Sequence, residues 1–230
     1  MIDKEVHDAA EAVAGIDDGA VIMIGGFGPP GQPIHLIDAL LAKGVTDLVV
    51  INNNAGAGGD AISKLFGAGR VRKAICSFPK AIGSTVFDEL YLAGKIELEL
   101  VPQGNLAERI RAAGAGIGGF FTKTGYGTEL AADKEVRLID GEHYVFETPL
   151  YADFALIRAS KADRWGNLVY RKTARNFGPI MAAAAKITIA EVDEVVALGV
   201  LDPENIVTPG IYVDRFISAS SALLEKKAMA

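Results

Sequence analysis

Four short strand candidates alternate with helix-like segments through the first half of this chain, and that alternation restricts the fold more than any other feature. The candidates are 21–24 and 48–51, both wholly apolar, then 73–78 and 96–101; residues 34–43, 61–66 and 86–93 lie between them at helical spacing, and 106–113 follows the last. A run that is apolar at every position suits a strand buried on both faces, which means a parallel sheet covered by helices on each side. Crossovers of this length are right-handed and lay consecutive strands side by side. Half the residues are hydrophobic but only 7% are aromatic, so the core is built from Ala, Val, Ile and Leu. The second half is less regular. It predicts strands at 154–159, 168–170 and 187–192, a short helix at 180–185, and a hairpin of 135–139 with 143–147 turning at Asp140-Gly141. Between Gly114 and Thr128 lies a glycine-rich stretch too long to be one turn, hence functional or mobile. No repeat or low-complexity linker interrupts the 230 residues. The expectation is one α/β domain over 1–230, an open, mostly parallel sheet with flanking helices.

Ligands of such sheets gather beyond the carboxyl ends of the strands. There the sequence places Gly25–Pro33, then Asn52-Asn53-Asn54 with Gly56, Gly58 and Gly59, then Ser77-Phe78-Pro79, then Pro102-Gln103-Gly104. All four loops are expected at one edge. The first is the most unusual: Gly25, Gly26, Phe27, Gly28, Pro29, Pro30, Gly31, Gln32 and Pro33 follow a strand and open a helix at Ile34. Glycines lacking Cβ let main-chain N–H groups approach a ligand, and the helix start favours an anion. Read as a pattern, Gly26-x-Gly28-x-x-Gly31 matches the dinucleotide fingerprint. That fingerprint wants an acid ending the next strand, where Asn52-Asn53-Asn54 stands instead, and three prolines remove N–H donors. A plain tight turn would need fewer glycines. A third reading is a loop shaped to lie against a large anionic ligand.

A net charge of −6 argues against general nucleic-acid affinity. The single cysteine, Cys76, excludes an internal disulfide and sits in a strand pattern that suggests a buried, inert thiol. The charged start, Met1-Ile2-Asp3-Lys4-Glu5, does not resemble a signal peptide, and no apolar run approaches membrane-spanning length. The expectation is a cytoplasmic protein with no membrane partner. One local exception to the acidic balance runs from Arg158 to Arg175. There Arg158, Lys161, Arg164, Arg171, Lys172 and Arg175 face only Asp163 within the segment. It is either a solvated face with internal ion pairs, or a recognition element for phosphate, carboxylate or an acidic partner.

No reacting group stands out. His7, placed on the first amphipathic helix, His35 and His143 occupy unrelated settings without a triad pattern. His35 and Asp38 are two potential ligands but not a metal site. Glu97 and Glu99 share a strand face, and Glu108, Arg109 and Arg111 read as surface charges. A ligand site without a nucleophile implies pure binding, or catalysis completed by another chain.

Several blocks together carry a resemblance. Residues 18–28 (Asp-Gly-Ala-Val-Ile-Met-Ile-Gly-Gly-Phe-Gly) with Gly31 and Pro33, then Asn53-Asn54-Ala55-Gly56, and then Pro102-Gln103-Gly104-Asn105-Leu106-Ala107-Glu108-Arg109-Ile110-Arg111 are three of them. Thr122-x-Thr124-Gly125-Tyr126-Gly127-Thr128 and Lys161-Ala162-Asp163-Arg164-Trp165-Gly166-Asn167-Leu168, extended by Arg171-Lys172-Thr173-Ala174-Arg175-Asn176-Phe177, complete the set. Over roughly residues 5–216 the chain resembles the alpha subunits of class I CoA-transferases, in the 3-oxoacid branch that uses 3-oxoadipate or acetoacetate. The resemblance implies CoA transfer from succinyl-CoA to a 3-oxoacid through a glutamyl-CoA intermediate. The glutamate would sit on a partner beta subunit, in an assembly of two alpha and two beta chains. It implies a CoA-binding loop at Gly25, Gly26, Phe27, Gly28, Pro29, Pro30 and Gly31, and an oxyanion donor at Gln103. Asn53, Asn54 and Thr124 are candidate substrate contacts. Lys80, Lys123 or Arg164 could meet a distal carboxylate, though Lys80 and Ala81 stand where relatives vary. No metal and no tightly bound cofactor is implied; the CoA thioester is a substrate.

Overall fold

The computed structural model describes residues 2–56, 60–80 and 84–219; Ala81, Gly58 and Gly59, named above, lie outside them. The elements begin α1 (Ala9–Val13), β1 (Val21–Ile24), α2 (Ile34–Lys43), β2 (Leu48–Ile51), α3 (Ala61–Gly67), β3 (Val71–Cys76), α4 (Val86–Leu92), β4 (Glu97–Leu100) and α5 (Gln103–Gly114). They continue with β5 (Phe120–Thr122), β6 (Val136–Ile139), β7 (Glu142–Glu147), β8 (Ala152–Asp163), β9 (Leu168–Val169), α6 (Gly178–Ala184), β10 (Ala185–Val196) and β11 (Arg215–Ser218). The main sheet runs β11-β10-β8-β1-β2-β3-β4, every pair parallel, with β9 antiparallel on β8.

Period-two alternation on these strands builds two cores. Ile22, Ile24, Leu48, Val50 and Leu156 face one side, against Leu36, Ile37 and Leu40 of α2 and Ile62, Leu65 and Phe66 of α3. Met23, Val49, Ile51, Ala155 and Ile157 face the other, against Leu106 and Ile110 of α5 and Met181 of α6. Burial on both faces is why β1 and β2 show no polar positions. From β1 the chain winds outward through β2, β3 and β4, and later through β8, β10 and β11 on the opposite flank. The order therefore reverses between β1 and β8, and a reversal of this kind opens a crevice at the carboxyl edge.

The expected mostly parallel sheet is present, with differences in extent. Strands β8 and β10 are 12 residues each, longer than predicted at both ends, because they pair in register over most of their length. Strands β5 and β11 escape the sequence reading: β5 is short and glycine-flanked, and β11 is recognised by its parallel pairing with β10. His7 precedes α1 rather than lying on it, and Asp8 caps that helix by accepting from the Glu11 N–H at 2.6 Å. The hairpin is β6–β7, with Asp140 and Gly141 both at positive φ (49° and 80°), the geometry a two-residue hairpin turn requires. Together with β5 it forms a separate three-stranded antiparallel sheet.

Charges expected on the surface instead anchor that small sheet. Arg109 is buried; its Nε donates to the Thr148 carbonyl at 2.9 Å and its guanidinium reaches Glu99 at 3.0 Å. Glu147, also buried, accepts from Asn105 at 2.9 Å and Lys134 at 2.7 Å. Glu108 and Arg111 do form an exposed pair, bonded at 2.6 and 2.9 Å. Cys76 is buried, and desolvation pushes its thiol up to about 12, so it stays protonated and inert.

Burial alone would raise the Glu99 carboxyl. Hydrogen bonds from Lys73 and Arg109, with their charges, outweigh it and hold the group below the ordinary value of 4.5. A depressed folded value contributes stability above the unfolded value, and that contribution is lost as pH falls through the folded one. Glu99→Gln should therefore lower the urea midpoint at pH 7, and its gap to wild type should narrow as pH drops below about 4. A gap that persisted unchanged into acid would contradict this assignment.

A second prediction concerns the β1–α2 loop. Gly31 is buried at φ +86°, and a Cβ there would lie 2.6 Å from Asn176 Nδ2 and 2.7 Å from the Ala174 carbonyl. Gly28, at φ +60°, faces open space. Gly31→Ala should cost about 2–4 kcal/mol, from left-handed backbone plus overpacking, and Gly28→Ala about 1 kcal/mol. Equal urea midpoints for the two variants would refute the packing argument.

Candidate functional site

The carboxyl ends of β1, β2 and β3 and the first turn of α5 are stitched together by side-chain amides. Asn52 and Asn53 are 2% and 1% exposed, so their polar groups must find partners inside the protein. Asn52 donates to the Ile24 carbonyl and accepts from the Asn54 N–H at 2.8 Å. The Asn53 side-chain oxygen accepts twice, from Ser77 Oγ and from Gln103 Nε2, both at 2.8 Å. Its amide nitrogen donates to Asn54 Oδ1 at 3.3 Å, and the same oxygen accepts from the Gly28 N–H at 3.1 Å. Four loops predicted to share an edge are thus joined by bonds that run from Gly28 to Gln103.

Gln103 itself is exposed at the edge. It starts α5 three residues earlier than the predicted helix, because Gly104 masks the helical pattern there. Fixed through Asn53, its amide keeps a second N–H, and the unpaired first-turn N–H groups of α5 lie beside it. These are neutral donors held without freedom to reorganise, the property an oxyanion needs. Thr124 is exposed, and its carbonyl accepts from Asn105 of α5 at 3.4 Å. That bond brings its backbone near the first turn of α5, but its side chain joins none of the hydrogen bonds around Asn53. Of the proposed carboxylate partners, Lys80 is exposed at the edge. Lys123 lies elsewhere, 3.6 Å from Glu142 and over the Tyr144 ring on the small sheet.

The glycine loop differs from its sequence reading in one respect. Four of its N–H groups are turned inward: Gly25 donates to Leu156, Gly26 to Asn176 Oδ1, Phe27 to Pro30 and Gly28 to Asn54. Pro29 and Pro30 have none to give. The glycines serve close packing and positive φ at Gly26, Gly28 and Gly31, while Phe27, Pro29 and Pro30 form the exposed surface. The start of α2 is likewise occupied. Glu191 of β10, fully buried, accepts from the His35 N–H at 2.8 Å, the Leu36 N–H at 3.3 Å and His35 Nδ1 at 2.9 Å. The anion that the helix start attracts is the protein's own carboxylate, brought in from 156 residues away. His35 is therefore not a metal ligand with Asp38, which pairs with Lys64 at 3.3 Å.

The basic segment is also divided by the fold. Arg158 bonds Asp193 at 2.7 Å and lies 3.5 Å from Glu191, and Lys161 bonds Glu194 at 2.8 Å. All three carboxylates belong to β10, whose register beside β8 the sequence does not reveal. A cavity of about 270 Å³ opens between Pro29–Gly31 and Arg158, at the reversal of strand order. Another, of about 610 Å³, lies on the far side of Pro30 and is lined by Phe27, Lys172, Thr173, Arg175 and Asn176. Asn176, which the sequence reading treats only as a neutral neighbour of charges, is the clamp between them. It accepts from the Gly26 N–H and donates to the carbonyls of Pro30 at 3.0 Å and Thr173 at 2.9 Å.

Among the described residues no nucleophile with an activating base stands at this edge. His35 is held by Glu191, His143 stacks on Tyr126 with ring centroids 4.5 Å apart, and Cys76 is buried.

Comparison with known proteins agrees with this arrangement. Residues 6–219 match the family described as Coenzyme A transferase. The chain is 63% identical over 230 residues to the A subunit of 3-oxoadipate CoA-transferase from Pseudomonas putida, covering all of both chains. It is 60% identical over 221 residues to the protein of the same name from Acinetobacter baylyi, covering 96% of this chain and 97% of that one. Among solved structures, an acyl-CoA transferase of Escherichia coli O157:H7 superposes with a TM-score of 0.83 at 24% identity. That match covers 95% of this chain and 47% of the other, so the chain spans about half of that longer polypeptide. Glutaconate coenzyme A-transferase from Acidaminococcus fermentans gives 0.79 at 24% identity, over 94% of this chain and 76% of that one. A sheet edge that presents fixed amide donors without a nucleophile, on a chain matched along nearly its whole length, has one consistent assignment: the protein belongs to the coenzyme A transferase family.

Proposed function

We propose that residues 1–230 act as one domain, the alpha chain of a 3-oxoadipate CoA-transferase that moves CoA from succinyl-CoA to 3-oxoadipate. The full-length likeness to two proteins of that name supports the acceptor, and the relatives named for 3-ketoacids are less similar, at 52% identity and below. The observation that carries the reading is the Gln103–Asn53–Ser77 cluster, a rigid donor site with no reacting group of its own.

The chemistry divides between two chains. A glutamate of the partner beta chain attacks the thioester carbonyl of succinyl-CoA, and the carbonyl oxygen takes up negative charge. Gln103 meets that charge with its amide N–H, while Asn53 holds the amide in place. CoA thiolate departs, leaving an acyl-glutamyl anhydride. The thiolate then attacks the glutamyl carbonyl, succinate leaves, and a glutamyl-CoA thioester remains. The acceptor carboxylate repeats these two steps in reverse order and leaves as its CoA thioester. Donors fixed in advance assist each tetrahedral stage without reorganising. Asn54 and Thr124 border the same edge and contact the acyl portion, and the exposed Phe27–Pro30 surface of the glycine loop lies along CoA. The thioester is a substrate, so no tightly bound cofactor or metal is needed. The working assembly is two alpha and two beta chains in the cytoplasm; no helix among the described residues is long and apolar enough to cross a membrane.

Two measurements test this. The isolated chain should show no CoA transfer, and mixing it with a beta subunit should restore it; full turnover by the lone chain would overturn the two-chain mechanism. In the assembled enzyme Gln103→Ala should lower kcat by about 10²–10³-fold, the usual loss for one oxyanion donor. An unchanged kcat would remove Gln103 from the mechanism.

A further inference from the structure

The fold leaves a question of charge. CoA carries several phosphate charges, yet the two features of the glycine loop suited to an anion are both used internally. Its N–H groups bond Leu156, Asn176, Pro30 and Asn54, and the start of α2 is capped by Glu191. Most of the positive charge for the phosphates is then left to side chains.

The basic segment supplies candidates once its members are sorted by partner. Arg158 and Lys161 are neutralised by β10. Lys172 and Arg175 are exposed, and among the described residues neither has a carboxylate within ion-pair distance. Both lie on the 3-10 turn Lys172–Arg175. Both also line the same cavity, so the two cations border one space. Lys172 sits at φ +49°, a backbone conformation unfavourable for lysine. The turn is held there by Asn176, whose amide bonds Thr173, Pro30 and the Gly26 N–H at once. The turn that carries the cations is therefore fastened to the glycine loop, and the cavity of about 610 Å³ between them has Phe27, 49% exposed, and Pro30 as its apolar wall. That volume lies in the range of sites that take nucleotide-sized ligands. Two unpaired cations beside an exposed aromatic ring, in a chain of net charge −6, match a phosphate joined to a flat heterocycle.

We propose that Lys172 and Arg175, with Phe27 as an apolar wall, form an anion subsite for the phosphate-bearing end of the CoA thioester. The inference rests on the transferase reading above and adds to it where the nucleotide lies. A carboxylate of the acceptor has similar chemistry, so the test separates the two sources.

The experiment uses the enzyme assembled with its beta subunit, as wild type, Lys172→Ala/Arg175→Ala, and the charge-preserving Lys172→Arg/Arg175→Lys. KM and kcat are measured for succinyl-CoA, for succinyl-pantetheine, which lacks every phosphate, and for the 3-oxoacid acceptor. The double alanine variant should raise KM for succinyl-CoA by about 10- to 100-fold, with kcat changed by less than about threefold. Its KM for succinyl-pantetheine should stay within about twofold of wild type, and the charge-preserving pair should regain most of the affinity. An unchanged KM for succinyl-CoA would overturn the subsite, as would an equal loss with both thioesters. A rise confined to the acceptor would assign the cations to its carboxylate, and failure of the alanine variant to assemble would assign them to an acidic face of the partner; either overturns the proposal. Wild-type turnover tests the transferase reading separately, since the subsite is judged only by ratios to wild type.

Discussion

A parallel sheet delivers all its strand ends to one edge, and the polar backbone that emerges there has no hairpin to close it. In this protein that constraint is met by amide side chains. Asn52 and Asn53, almost wholly buried, bond the ends of β1 and β3 and fix the start of α5. An unpaired buried amide is costly, so the network holds as a unit or not at all. It also fixes Gln103: an exposed glutamine on a helix start is ordinarily mobile, whereas this one is bonded to the buried Asn53.

The same edge shows how a fold consumes its own anion-attracting features. A helix start and a glycine-rich turn are open invitations to a phosphate when considered locally. Here Glu191 reaches the first from β10, and Asn54, Asn176 and nearby carbonyls take the N–H groups of the second. The glycines remain necessary, because Gly31 packs against Asn176 and Ala174 with no room for a side chain. The loop is thus a shaped surface. Positive charge enters from the turn that Asn176 fastens to it.

Most of the fold was legible in the chain. Apolar runs at 21–24 and 48–51 coincide with β1 and β2, and the Asp140-Gly141 turn sits where the hairpin was expected. Local physics decides these elements, since a strand buried on both faces must be apolar and a two-residue hairpin turn must tolerate positive φ. The clustering of four loops was legible too, because topology follows from alternation. What stayed hidden depended on partners distant in sequence. Arg109 looked like a surface charge because Glu99 and Thr148 become its partners only after folding. Asn176 looked like a neutral neighbour of charges because Gly26, the group that gives it a role, lies 150 residues away.

The sequence by itself determined the class of sheet and the edge where four loops meet, since periodicity and residue chemistry are local properties. The blocks that carry the family resemblance determined the kind of chemistry. Only the tertiary structure decided which charges are neutralised and which remain available. Strand β10 lies beside β8 and lends its acids to Arg158 and Lys161, while no strand lends any to Lys172 and Arg175 among the described residues. Electrostatic pairing is set by distance through space, and chain separation says nothing about it until the register of the sheet is known.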